Sequence, residues 1–303
     1  MKIGLIQVDG KLPNLALMKL SKHYEDLGHE TFFIDLSTIK CDFWFGSKIF
    51  MGGSGYEIKQ NLPQDIEEIT PDYEKFGLDY SIGFTSRGCI RNCEFCIVKE
   101  KEGIQHNVSM DWTKGKKKVL LLDNNFLASL NWKDKLQYFI DNKTKVCFNQ
   151  GLDLRLITDE KADMLFKIDY RDDQFKTKRL YFAWDNIKDE VIILEKINLL
   201  ISKGIKPQNI MIYVLTGFNS TFDEDMYRVN KLVEIGVKPF VMQFNRNSNK
   251  KRDPKSIDLA RWINKRYYMF MPFEKYKGRK EIISNKQLIS QLEEKEISSE
   301  EGK

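Results

Sequence analysis

Three cysteines, Cys89, Cys93 and Cys96, sit in the stretch "SRGCIRNCEFC" (86–96) with the spacing C-x3-C-x2-C. The whole chain of 303 residues has 5 cysteines, so the cluster is not a matter of composition. Thiolates are the preferred ligands of zinc and of iron–sulfur clusters. A disulfide framework needs an oxidising compartment. The opening "MKIGLIQVDG" lacks a signal-peptide pattern, and no run approaches the roughly 18 apolar residues of a membrane span. A cytoplasmic location without membrane contact is therefore expected, with reduced thiols that point to metal or catalysis.

A structural zinc site closes with four protein ligands. The nearest fourth candidate is His106. Cys41 lies far upstream, and Cys147 is inside an apolar strand pattern, where a buried, inert thiol is the usual outcome. Three close ligands and no fourth suit an open site better than a closed one.

The elements that must position this loop read as alternating strands and helices. "KIGLIQV" (2–8) is a buried strand, and Pro13 opens a helix carrying Leu17, Leu20, Tyr24 and Leu27, stopped by Gly28. "TFFIDL" (31–36) and "KIFMGG" (48–53) read as two further strands, followed by a polar linker over 61–73. From residue 81 the alternation becomes regular. Strands are expected at 81–86, 118–123, 145–150, 179–184, 209–215 and 239–244, with helical patterns between them, including 189–204. "SKGIKPQNIMIYV" and "VEIGVKPFVMQF" both place glycine, an aliphatic residue, lysine and proline between helix and strand. That repeated connector argues for βα units in a parallel sheet. Six units are too few for an eight-fold barrel, so a partial barrel or open sheet is expected. The basic loop 245–256, a last helix over 257–270 and a charged tail over 291–303 complete the chain.

"TSRGCIRNCEFC" closely resembles the cluster-binding loop of radical S-adenosylmethionine (SAM) enzymes. The resemblance implies an α/β chain: an N-terminal Rossmann-like βαβ domain (1–70), a partial (β/α)6 barrel (75–250) and a C-terminal helix with a charged tail (251–303). It implies that Cys89, Cys93 and Cys96 hold a 4Fe–4S cluster, that SAM completes the fourth iron, and that Phe95 packs near the adenine. The first segment is similar to the cobalamin-binding branch of that family. Its Asp-x-His-x-x-Gly fingerprint is missing from "VDGKLPNLALMK", so cobalamin itself is not expected.

The same resemblance directs attention to the strand ends. Asp123, Asn124 and Asn125 end the second strand and are candidates for the SAM ammonium, or simple turn residues. Gln150 and Arg155 follow the third, the arginine as a fork for the SAM carboxylate, or as the partner of Asp153 on the rim. Asp185 ends the fourth and would bind the ribose hydroxyls, or cap the helix that begins near Asp189. Gly217, after the fifth, would let backbone approach the adenine, or serve as a turn glycine. Gln243, with Asn245 and Arg246, follows the sixth and faces SAM or substrate. The implied activity is reductive cleavage of SAM to a 5′-deoxyadenosyl radical, fed by a flavodoxin- or ferredoxin-like one-electron donor. The substrate stays open. The net charge of +5 permits nucleic acid without demanding it, and a solvated loop is favoured over a phosphate site at 245–256. The rival readings are a zinc-stabilised nucleic-acid-binding module and an inactive radical SAM-like scaffold.

Overall fold

The computed structural model describes residues 1–8, 10, 12–33, 40–47, 66–244, 253–276 and 278. The expected strand 48–53, the end of 31–36, the start of the linker, most of the basic loop with Asn245 and Arg246, and the tail 291–303 lie outside them.

The first unit is a small parallel sheet. Strand β1 (Lys2–Gln7) lies between β2 (Glu30–Phe33) and β3 (Phe43–Ser47), parallel to both. Helix α1 (Leu15–Asp26) connects β1 to β2. Its cap is Asn14, one residue after Pro13, whose side chain accepts from the backbone N–H of Ala16 and Leu17. Ile3, Leu5, Leu17, Leu20, Phe45 and Ile66 form the core of this unit.

The second unit holds the regular alternation. Its elements are β4 (Ser81–Gly83), β5 (Ser86–Arg87), α2 (Val98–Glu102), β6 (His106–Asn107), β7 (Lys118–Leu121), α3 (Trp132–Asp141), β8 (Lys145–Phe148), α4 (Asp159–Lys167) and β9 (Asp169–Tyr170). Then follow β10 (Leu180–Ala183), α5 (Glu190–Ser202), β11 (Ile210–Thr216), α6 (Phe222–Ile235), β12 (Lys238–Gln243) and α7 (Pro254–Asn264). All six expected strands are present and parallel to their neighbours, but they form two sheets, β4-β7-β8-β9 and β10-β11-β12. The short β9 takes the start of β8, opposite Lys145 and Val146, which keeps β10 away from that end. Past the end of β8 the two sheets are joined by a bridge. There Leu152 makes a parallel bridge to Phe182, and its N–H donates to the Tyr181 carbonyl at 2.7 Å.

Side-chain alternation gives the sheets two faces. Val119, Leu121, Val146, Phe148, Leu180, Phe182, Ile210, Ile212 and Val214 join the helices in the main core. Burying each such side chain contributes roughly 1.5–3 kcal/mol. On the other face Ile82, Leu120 and Cys147 pack against Met18 of α1, Tyr73 and Phe175. The first unit thus covers one face of β4, β7 and β8. Cys147 is fully buried and its thiol is pushed up by that burial, in keeping with an inert packing role. Among the described residues no helix is long and apolar enough to cross a membrane.

Candidate functional site

The cysteines occupy an excursion between β5 and β6, which pair antiparallel with Arg87 opposite His106. The ends of the excursion are pressed together at Gly88. Its φ is +71°, and a Cβ there would come within 2.6 Å of the Ile104 carbonyl oxygen, so only glycine fits. Glu102, at the end of α2, fastens the entrance. Its carboxylate accepts from the Gly88 N–H at 3.1 Å and from Asn124 Nδ2 at 2.7 Å, with Arg87 Nε at 3.6 Å. Cys89 and Cys93 are half-buried and Cys96 is exposed. The Cys89 sulfur accepts from the Arg91 N–H at 3.3 Å and faces Asn125 Nδ2 at 3.5 Å.

Burial pushes the Cys93 thiol up; the Arg155 guanidinium opposes this, while Cys96, Asp185 and Cys89 add to the rise. The three sulfurs are therefore electrical neighbours. Among the described residues, no three His, Cys, Asp or Glu side chains already converge on one point as a metal would require. The donor set, three thiols on one loop, fits an iron–sulfur cluster by chemistry. His106 does not join it: the ring is exposed, and Nδ1 lies 3.1 Å from the Ile104 carbonyl.

The second-strand residues divide. Asp123 is 3 % exposed and fully engaged: Oδ2 accepts from the Thr85 N–H at 2.9 Å, and Oδ1 from the hydroxyls of Thr85 at 2.7 Å and Ser86 at 2.6 Å. Burial pushes its carboxyl above the usual range, against those hydrogen bonds and the Lys135 charge. Its oxygens face the root of the cysteine loop and are taken up there. Asn124 binds Glu102. Asn125, 2 % exposed, carries a buried Oδ1 with no partner among the described residues, while its Nδ2 reaches Cys89 and Asp153 at 3.5 Å each.

The third-strand residues form a network. Arg91, inside the cysteine loop, donates from Nε to Asp153 Oδ2 at 2.8 Å. Arg155 donates to the other oxygen of Asp153 at 2.9 Å and to Asp189 at 3.2 Å. The rim ion pair weighed for Arg155 is thus formed, and the bond from Arg91 to the same Asp153 ties the loop to the end of the third strand. Gln150 sits on an exposed turn. On the fourth strand the cap is Asn186, whose side chain accepts from the Lys188 N–H at 3.0 Å. Asp185 is free of that duty and has no hydrogen-bond partner among the described residues. Burial pushes its carboxyl up to about 6, with Arg228 and Arg155 pulling down and Asp189 and Asp153 pushing further up.

The far side of the site is aromatic. Phe95 meets Phe218 edge-on at 5.6 Å between ring centroids, and Phe218 meets Phe244 at 4.7 Å. Gly217, at φ +72°, lies beside Phe218 and donates its N–H to Asp225 at 3.3 Å. Gln243 closes β12 opposite Thr216. A buried Arg228, paired to Asp225, donates to the Trp184 carbonyl at 2.7 Å and the Leu215 carbonyl at 2.8 Å, clamping the ends of β10 and β11.

Sequence patterns missed Glu102, Arg91, Thr85, Ser86, Lys135 and Arg228. Lys135 did leave a signal, since it shares the apolar stripe of α3 with Leu136 and Phe139. The others are ordinary polar residues whose meaning comes from partners distant in sequence. No family model matches the chain, and a search of curated proteins finds no match either.

Proposed function

We propose that the chain is a radical SAM enzyme whose six parallel strands form a partial (β/α)6 barrel beside a Rossmann-like N-terminal unit. The observation that carries the reading is the three-thiol loop after the first of those strands, met there by Asn125, Arg155 and Asp185 from three other strand ends. Strand ends of parallel α/β sheets are where such folds bind ligands.

Cys89, Cys93 and Cys96 would hold the cluster. A bound 4Fe–4S cluster would supply, from a flavodoxin- or ferredoxin-like donor, the one electron that reductive cleavage of SAM to methionine and a hydrogen-abstracting 5′-deoxyadenosyl radical would require. The protein's own part is orientation and exclusion of water. Asn125 offers an unpartnered carbonyl oxygen to the SAM ammonium. Asp185 offers a carboxylate without hydrogen bonds to the ribose hydroxyls. Phe95 and Phe218 offer ring surface to the adenine. Arg155 can serve the SAM carboxylate only by exchanging it for Asp153 or Asp189.

Anaerobic reconstitution with iron and sulfide tests the reading. The sample is expected to turn brown, hold about four irons per chain, and release 5′-deoxyadenosine when reduced with SAM. A Cys93→Ala variant is expected to lose all three properties. A colourless protein with one zinc per chain would replace this reading with the zinc-stabilised one.

A further inference from the structure

Asp123 and Lys135 stand at the point where the chain leaves the sheet to form the cysteine loop. The last ladder bond of β4 to β7 is the Leu122 N–H to the Gly83 carbonyl, at 2.8 Å. Two residues later Thr85 is beyond the ladder and fully buried, and its backbone groups need partners. Its N–H goes to a side chain, Asp123 Oδ2, at 2.9 Å, and its carbonyl receives the Val108 N–H at 3.1 Å and, in addition, Lys135 Nζ at 2.8 Å. Lys135 is 1 % exposed and also donates to Asn107 Oδ1 at 3.0 Å and Ser129 Oγ at 3.1 Å. One ammonium therefore joins the strand entering the loop, the strand leaving it and helix α3.

We propose that Asp123 and Lys135 are positioning residues that set where the cysteine loop leaves the sheet, and so whether its three thiols can close on one cluster; this rests on the cluster-binding reading above. The physical argument is that a buried carboxylate and ammonium are expensive to desolvate, and an apolar pair of similar volume would often be as stable. Both charges are nevertheless directed at the two backbone groups of one residue, Thr85, four residues before Cys89. Hydrogen bonds have direction, which apolar packing lacks. A charged clamp on both sides of Thr85 fixes the exit angle of the loop in a way that burial alone does not. Neither residue touches a cysteine, so the effect passes through the backbone of residues 85–88.

The test compares cluster loading with stability. Asp123→Asn keeps the shape and removes the charge. Leu200→Ala, fully buried in α5 on the helical side of the sheets, serves as the comparison for lost stability alone. After anaerobic reconstitution, Asp123→Asn is expected to hold at least threefold less iron per folded chain than the wild type. Whatever cluster it holds is expected to show a broadened electron paramagnetic resonance signal. Leu200→Ala, at an equal or larger loss of Tm, is expected to keep wild-type iron and a wild-type signal. Lys135→Met, which removes the side-chain donor to the Thr85 carbonyl, is expected to lose iron likewise; it decides the matter should Asp123→Asn fail to fold. Wild-type iron and signal in folded Asp123→Asn or in folded Lys135→Met would overturn the proposal and leave the cluster reading standing. A wild-type chain that takes up no iron would overturn the cluster reading, and this proposal with it.

Discussion

Replacing Asp185 by asparagine is expected to make the protein more stable at neutral pH. The carboxyl is pushed from an ordinary 3.8 up to about 6, chiefly by burial, and the nearby guanidinium groups of Arg228 and Arg155 only partly offset this. A carboxyl with a raised folded-state value binds its proton more tightly folded than unfolded. Between about pH 4 and pH 6 the unfolded chain has therefore lost more protons, and stability falls as pH rises through that window. Above it the loss is complete. Two units at about 1.4 kcal/mol each make the ionised group cost about 3 kcal/mol at pH 7. Some solvent reaches the group, which lowers the figure toward about 2 kcal/mol. Asparagine has the same shape and no charge to desolvate. The expected result is a gain of about 2 kcal/mol at pH 7 that shrinks to nothing near pH 4, read from urea unfolding at a series of pH values. If the chain binds SAM as proposed, the gain should accompany weaker SAM binding, as happens when a strained functional group is removed. An asparagine variant less stable than wild type at pH 7, or a difference independent of pH, would refute the reasoning.

Two further substitutions probe the frame of the site. Gly88→Ala places a Cβ against the Ile104 carbonyl in a left-handed backbone, which alone costs about 1–2 kcal/mol; faster proteolysis within 88–105 is expected with little change in the helical circular dichroism. Arg228→Met leaves Asp225 buried without its partner and unclamps β10 from β11. A loss of about 3–5 kcal/mol is expected in chemical denaturation, and a loss below about 1 kcal/mol would show that water has replaced the pair.

The strand order was legible because each strand is an apolar run bounded by a strong signal, such as the glycine–lysine–proline connectors before β11 and β12. The break in the sheet was not. It depends on β9, two residues long, whose only distinction is its place beside the start of β8. The β5–β6 pair was equally hidden, since its members are two residues each and lie on either side of the cysteine loop. Order along the chain is local information, and pairing across it is not.

The same limit explains why two carboxylates that look alike in sequence have opposite fates. Asp123 in "LLDNN" and Asp185 in "AWDN" both end a parallel strand, and both are followed by asparagine. Their neighbours along the chain give no reason to separate them. What separates them is the strand beside each. Next to Asp123, the chain that leaves β4 carries Thr85 and Ser86, whose N–H and hydroxyls use up its oxygens. Next to Asp185, Asn186 takes the capping role, and Arg228 spends its two terminal nitrogens on backbone carbonyls and Asp225, while its Nε is buried without a hydrogen-bond partner among the described residues. One acid is therefore consumed in holding the loop. The other is left half-buried and without a hydrogen bond among the described residues, an arrangement that costs stability when the group is ionised unless something outside the chain supplies the donors. A ligand bearing hydroxyl groups would supply them, and this unmet demand is a stronger argument for a binding site at Asp185 than its position at a strand end.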